Sequence, residues 1–216
     1  MAFDFPNTPT TGQQITMPDG TVRVWDGTKW VAGVYTLPAL VPAQNNVGRN
    51  LVHNGLFNVQ QRGAGPWTVS TYTADRWQTG LSLDTISFSV VGLGPTDVSQ
   101  IGDEAAQFSL QNVFTGNAGA SAWNGAWQRI ENVARLGNKT VTVSFWAKAA
   151  SRTPKLGVSC DQNFGSGGSP AAPVSGNGQA VTLATTWTRY SLTFTLPATS
   201  GKAFGTNADH FTEVNF

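Results

Sequence analysis

The chain is poor in the residues from which disulfide-stapled, metal-bound and strongly charged proteins are built. Of 216 residues, one is cysteine (Cys160) and two are histidine (His53 and His210). A single thiol cannot close an intrachain disulfide, which excludes a stapled secreted scaffold. Two histidines so far apart in sequence do not spell a zinc site. Charged side chains make up 12% of the chain, about half the ~25% usual for a soluble domain. The formal net charge is +1, so neither nucleic acid nor an anionic membrane is an expected partner. No apolar run approaches the ~20 residues of a membrane helix, so no membrane insertion is expected. Met1–Pro6 has neither a basic n-region nor an apolar h-region, and no secretory signal is expected there.

What the chain does contain is turn formers and apolar residues. Hydrophobic residues are 40%, which excludes a disordered, charge-driven chain. There are 24 glycines and 11 prolines, and Ser, Thr, Asn and Gln fill the place of the missing charges. That mixture suits short strands joined by polar turns.

Three segments are expected. Residues 1–35 carry two turn signals, Pro18-Asp19-Gly20 and Asp26-Gly27, between short alternating runs. Asp-Gly between such runs is a strong hairpin signal. The reading is a three-stranded meander whose main apolar mass is Trp25 and Trp30. A unit this small, without disulfide or metal, is expected to dock on a partner through those two rings, as an anchoring module. Residues 36–48 contain Pro38 and Pro42 and no charge, which predicts an extended linker.

Residues 49–216 read as strand, turn, strand. Ile86, Phe88 and Val90 alternate with polar neighbours; so do Val141, Val143, Phe145 and Ala147, and Tyr190, Leu192, Phe194 and Leu196. Period-2 alternation marks strands with one face on a core. Weaker strand candidates are 51–59, 107–113, 156–160 and 180–183. Ala126–Leu136 places Trp127, Ile130, Val133 and Ala134 at helical spacing and is followed by Gly137, which predicts one short amphipathic helix. The expected fold is all-β, an antiparallel sandwich of jelly-roll type behind a small meander and a linker.

Several stretches resemble known families. Phe5-Pro6-Asn7-Thr8-Pro9, Pro18-Asp19-Gly20 and Val24-Trp25-Asp26-Gly27-Thr28-Lys29-Trp30 resemble a small module at the N-termini of bacteriophage fibre and other virion proteins. Five later stretches are Asn50-Leu51 with Asn54-Gly55, Phe57 and Gln61-Arg62-Gly63; Ala74-Asp75-Arg76-Trp77; Arg129-Ile130-Glu131 with Leu136; Lys139 through Lys148; and Trp187-Thr188-Arg189-Tyr190-Ser191 with Thr193-Phe194 and Leu196-Pro197. In that order they resemble a jelly-roll module of phage tail proteins that looks like galactose-binding and carbohydrate-binding sandwiches. The resemblance implies a virion structural protein, a tail fibre or fibre-like appendage. Its partners would be other virion proteins, itself as a homotrimer, and a host surface glycan; its place would be the virion. Sandwiches of this type usually close with a further long strand. Here the chain stops in the alternating run Phe211–Phe216, which is expected to leave an open edge and to continue in a longer polypeptide. Alternatives are a strand donated by a neighbouring subunit, or Phe216 tucked against the helix.

No catalytic set is legible. A Cys160–His dyad would need His53 or His210 within reach, and a cysteine ending an apolar strand is more simply core. Asp103 and Glu104 are adjacent and would point to opposite faces of a strand, while Asp75, Asp161 and Asp209 are isolated, so no glycosidase pair is evident. Sandwiches of this resemblance sometimes hold a structural Ca²⁺, for which Asn54, Asp75 and Asp84 offer oxygens. No acidic loop motif accompanies them, and turn capping accounts for all three. Neither a metal nor a cofactor is expected. Asn138-Lys139-Thr140 fits a glycosylation sequon without a secretion signal to make use of it. The candidate glycan-binding residues are Trp67, Trp123 and Trp127, in or beside loops. A large flat ring flanked by polar groups suits a sugar, although packing would explain the same residues.

Overall fold

A computed structural model describes residues 5–32 and 50–216; the linker expected at 36–48 lies outside them. The chain divides into two compact units, Met1–Asn50 and Leu51–Phe216.

The first unit is the expected three-stranded antiparallel meander: β1 (Gln14–Thr16), β2 (Val22–Trp25) and β3 (Trp30–Ala32), in that order. Its turns are built by the two aspartates. Asp19 accepts hydrogen bonds from the backbone N–H and hydroxyl of Thr21, and Asp26 accepts from the N–H groups of Thr28 and Lys29. Gly27, with φ +106°, takes the left-handed position that a side chain would resist. Trp25 and Trp30 are cross-strand partners with ring centroids 5.6 Å apart, and Phe5 lies 5.4 Å from Trp30. No residue of 5–32 is fully buried.

The second unit is a sandwich. Its elements are β4 (Thr71–Tyr72), β5 (Trp77–Ser82), β6 (Thr85–Gly92), α1 (Pro95–Ile101), β7 (Phe108–Thr115), β8 (Trp123–Glu131), β9 (Thr140–Ala147), β10 (Lys155–Asn163), β11 (Gln179–Thr182), β12 (Thr188–Thr195) and β13 (Phe211–Asn215). One layer is a six-stranded sheet, β11-β10-β13-β8-β5-β4. The antiparallel pairs β12-β9 and β6-β7 supply the other layer. One core joins Ile130, Val158, Cys160 and Val214 of the large sheet to Phe194 and Leu196, with Val143 and Phe145 packed against it. A second joins Trp77 and Ala126 to Ile86, Phe88 and Val90.

The period-2 reading holds where it was strongest. Tyr190 pairs with Phe145, Leu192 with Val143 and Phe194 with Val141, all on the core side, while Thr142, Ser144, Ser191 and Thr193 are exposed.

Three expectations are corrected. The segment 126–136 is not a helix: β8 runs through Glu131, and only a 3-10 turn, Val133–Arg135, follows. The buried set of β8 is Ala126, Gln128 and Ile130. A polar residue in the middle of the inward face hid the alternation. Gln128 is tolerated there because its amide accepts from His53 N–H and donates to His53 C=O. The helix lies instead at α1, with Pro95 at its first position and Gly102 at its left-handed C-cap, the usual asymmetry of helix ends.

Residues 51–59 are not a strand. Asn54 and Phe57 have positive φ, and the Asn54 side chain bonds both backbone groups of Val59, closing a turn. Finally, Phe211–Asn215 is no open edge. β13 is interior, paired with β10 on one side and β8 on the other. Phe216 exchanges both backbone hydrogen bonds with Ala126, and its ring meets Trp77 and Phe145.

Candidate functional site

Paired residues in an antiparallel ladder point the same way, and neighbours along a strand point opposite ways. Since Ala126, Gln128 and Ile130 face the core, Trp123, Trp127, Arg129 and Glu131 of β8 face outward. The registers extend this outward set across the sheet. Ser159 of β10 pairs with Asn215 of β13, Asn215 with Trp127, Trp127 with Gln78 of β5, and Gln78 with Tyr72 of β4. One row of five outward side chains thus crosses five strands. The next row is Asp161, Glu213 and Arg129, and the one after it Asn163, Phe211 and Glu131.

The rows are tied together by hydrogen bonds. The Trp127 indole N–H donates to Gln78 Oε1 at 2.6 Å, which leaves the Gln78 amide nitrogen without a protein partner among the described residues. Asn215 Nδ2 donates to Ser159 Oγ and to Asp161 Oδ2 at 3.1 and 2.9 Å. Arg129 Nε donates to Glu213 at 2.8 Å, and Arg76 donates to Glu131. Two shallow depressions open on this face, and Tyr72 and Gln78 line both. Trp127 borders one of them; Arg129, His210 and Phe211 border the other.

The charges on the face are spent within it. Arg76 holds the Glu131 carboxyl below its ordinary range, and the Ser166 hydroxyl and N–H do the same for Asp209. Burial raises the Asp161 carboxyl, with the Ser159 hydroxyl bond opposing the shift. Asp161 and Glu213 stand opposite each other on adjacent strands, a juxtaposition the sequence did not reveal. Each is engaged by hydrogen bonds from its neighbours, Glu213 by Arg129 and Asp161 by Ser159 and Asn215.

Of the tryptophans expected in or beside loops, Trp123 and Trp127 lie instead on strand β8, because the run 123–131 alternates as a strand. Trp123 shares the outward face, half exposed, with its ring 6.3 Å from that of Trp127. Trp67 does not join them: its backbone bridges Phe88 and it packs on the second core. Trp25 and Trp30 belong to the first unit. Cys160 is buried in the core, where burial pushes its thiol up to about 12, and the His210 Nδ1 accepts from Val133 N–H. Of the three residues weighed for a cation, only Asn54 closes a local turn; Asp75 and Asp84 bond distant segments instead of capping turns of their own. Asp75 accepts from Gln61 N–H, and Asp84 from Asn117 N–H and the Asn124 amide. Asp103 caps a turn through Ala105 N–H. Tyr72, Gln78, Arg129, Phe211 and Asn215 carried no sequence signal, because only strand pairing assembles a face from positions 72 to 215.

Aromatic rings lying among amide, hydroxyl and guanidinium groups on an open β-sheet are suited to a ring that is apolar on its faces and polar at its rim. Neither the curated proteins nor the solved structures contain a match to the chain. A family model, described as carbohydrate binding domain, matches residues 94–205. That stretch takes in β7 to β12 and just over half of the chain, so the chain belongs to the carbohydrate binding domain family.

Proposed function

We propose that the chain binds a glycan on the outward face of its six-stranded sheet. Trp127 and Tyr72 would give stacking surfaces, and Arg129 and Asn215 would meet sugar hydroxyls. The observation that carries this reading is the in-register row Tyr72–Gln78–Trp127–Asn215–Ser159. A carbohydrate binding domain is itself a non-catalytic module, and the reading assigns recognition rather than bond cleavage. The test is an array of bacterial surface polysaccharides and plant and animal glycans. The chain should retain at least one of them, Trp127→Ala should abolish retention, and Trp146→Ala, exposed on the opposite layer, should preserve it. Loss with Trp146→Ala and retention with Trp127→Ala would move the site to the other sheet.

We further propose that the chain is a structural component of a phage virion, a homotrimeric tail fibre or fibre-like appendage located in the particle. Its first unit would attach it through Trp25 and Trp30. Support comes from the N-terminal resemblance and from the absence of any fully buried side chain among residues 5–32, a surface that wants a partner. Antibody labelling of intact particles tests this; unlabelled particles and a monomer by light scattering would refute it.

A further inference from the structure

One position on the outward side of β5 has no side chain. Gly80 follows Gln78 in the outward alternation and yet is buried. A Cβ built there would stand 2.6 Å from Cη2 and 3.1 Å from Cζ3 of Trp127, and 3.1 Å from Ser70 Oγ. The ring of Trp127 therefore lies down over the bare backbone of β5. The cross-strand partner of Gly80 is Gly125, where the space a Cβ would take is filled by the Phe216 carbonyl oxygen, 2.6 Å away. The backbone at Gly80 is ordinary strand, outside the left-handed region, and any residue could adopt it. Glycine inside a strand weakens it and often marks a close approach; here the approaching group is the indole. At its other end the same ring is pinned, because Nε1–H donates to Gln78 Oε1 at 2.6 Å.

We infer that Gly80 and Gln78 are positioning residues for glycan binding: Gly80 opens the space in which Trp127 lies flat, and Gln78 locks its rotation. The inference rests on Trp127 being the stacking surface. A ring held in its bound orientation before the ligand arrives loses less rotamer freedom on binding. A methyl group at position 80 would lift the six-membered ring, and the lift would stretch or break the bond to Gln78.

The experiment uses the full 216-residue chain and two readouts. The first needs no ligand: the near-ultraviolet circular dichroism of Trp127, obtained as wild type minus Trp127→Phe. Gly80→Ala and Gln78→Met should each abolish most of that difference band. Gln78→Glu, which keeps the acceptor, should retain it. The second readout is affinity for the strongest of three probes, the β-1,4-linked hexasaccharides of glucose, mannose and xylose, by titration calorimetry. Gly80→Ala should weaken binding by about tenfold or more and should add no further loss in the Trp127→Phe background. A simple folding defect would instead add in both backgrounds.

Wild-type dichroism and affinity in both Gly80→Ala and Gln78→Met would overturn the inference while leaving Trp127 as the platform. If Trp127→Ala binds like wild type, or no probe binds, the glycan reading of this face fails for these sugars. The dichroism then decides by itself whether the two residues hold the ring. Should Gly80→Ala not fold, the Gln78 pair carries the test. A difference band equal in Gln78→Met and Gln78→Glu would sink the proposal.

Discussion

The guanidinium of Arg129 lies 4.2 Å from the centre of the Phe211 ring, while its Nε donates to Glu213 on the same strand as that ring. Both partners come from β13, so one strand supplies the plane the cation rests on and the carboxylate that turns it. The terminal nitrogens have no protein partner among the described residues. Arg129→Lys keeps the charge but gives up the planar fork. The pair is partly exposed, and such pairs contribute about 0–1 kcal/mol. The expected outcome is a melting shift of at most about 4 °C with a clear loss of glycan retention. A large melting shift with unchanged retention would make Arg129 a purely structural residue.

Core and surface alternate within β12, and the energetic contrast should follow. Phe194 is 2% exposed, and Ser191 is exposed. Phe194→Ala should cost about 3–5 kcal/mol by chemical denaturation, and Ser191→Ala less than about 0.5 kcal/mol. Comparable losses at the two positions would contradict the register.

Two carboxylates should move acid stability in opposite directions. Asp97 accepts from Lys148 Nζ, the Trp187 indole and Gly94 N–H, which together hold it below its ordinary value. A lowered folded value contributes stability that is present above the unfolded value and lost as pH falls through the folded one. The stability gap between wild type and Asp97→Asn should therefore close in acid. Burial raises Asp161, so its ionised form costs stability at neutral pH. The cost disappears as pH falls through the raised value, and any advantage of Asp161→Asn should shrink along the same path. Denaturant midpoints from pH 7 down to the acid limit decide the signs.

Cys160 should be inert in the native protein. Its side chain is buried and its thiol is pushed up to about 12, and the thiolate is the reactive form. A thiol reagent at pH 8 should leave it unmodified until denaturant is added. Rapid native labelling would reopen the question of a cysteine nucleophile.

The first unit should not be stable alone. None of residues 5–32 is fully buried, and a sheet of this size without staples has little to offset chain entropy. A peptide of residues 1–35 should show no cooperative thermal transition by circular dichroism; a sharp one would mean that the unit needs no partner.

Much of the architecture was readable from local pattern. The alternation through 140–147 and 188–195 decided which side chains face the core, because a strand repeats every two residues. Asp19-Gly20 and Asp26-Gly27 decided the meander, because short carboxylates bond their own backbone and glycine accepts positive φ. What local pattern could not supply was any feature whose partner is distant. Gln128 sits inside because His53, 75 residues away, meets its amide, and without that knowledge 126–136 reads as a helical stripe. The segment 211–216 became an interior strand because two distant strands flank it. The outward face exists only in the folded sheet: pairing sets Tyr72, Gln78, Trp127, Asn215 and Ser159 side by side. Composition could nominate Trp127 as a flat ring. Only the sheet could place Gly80 beneath it, because cross-strand neighbours are chosen by register and not by distance along the chain.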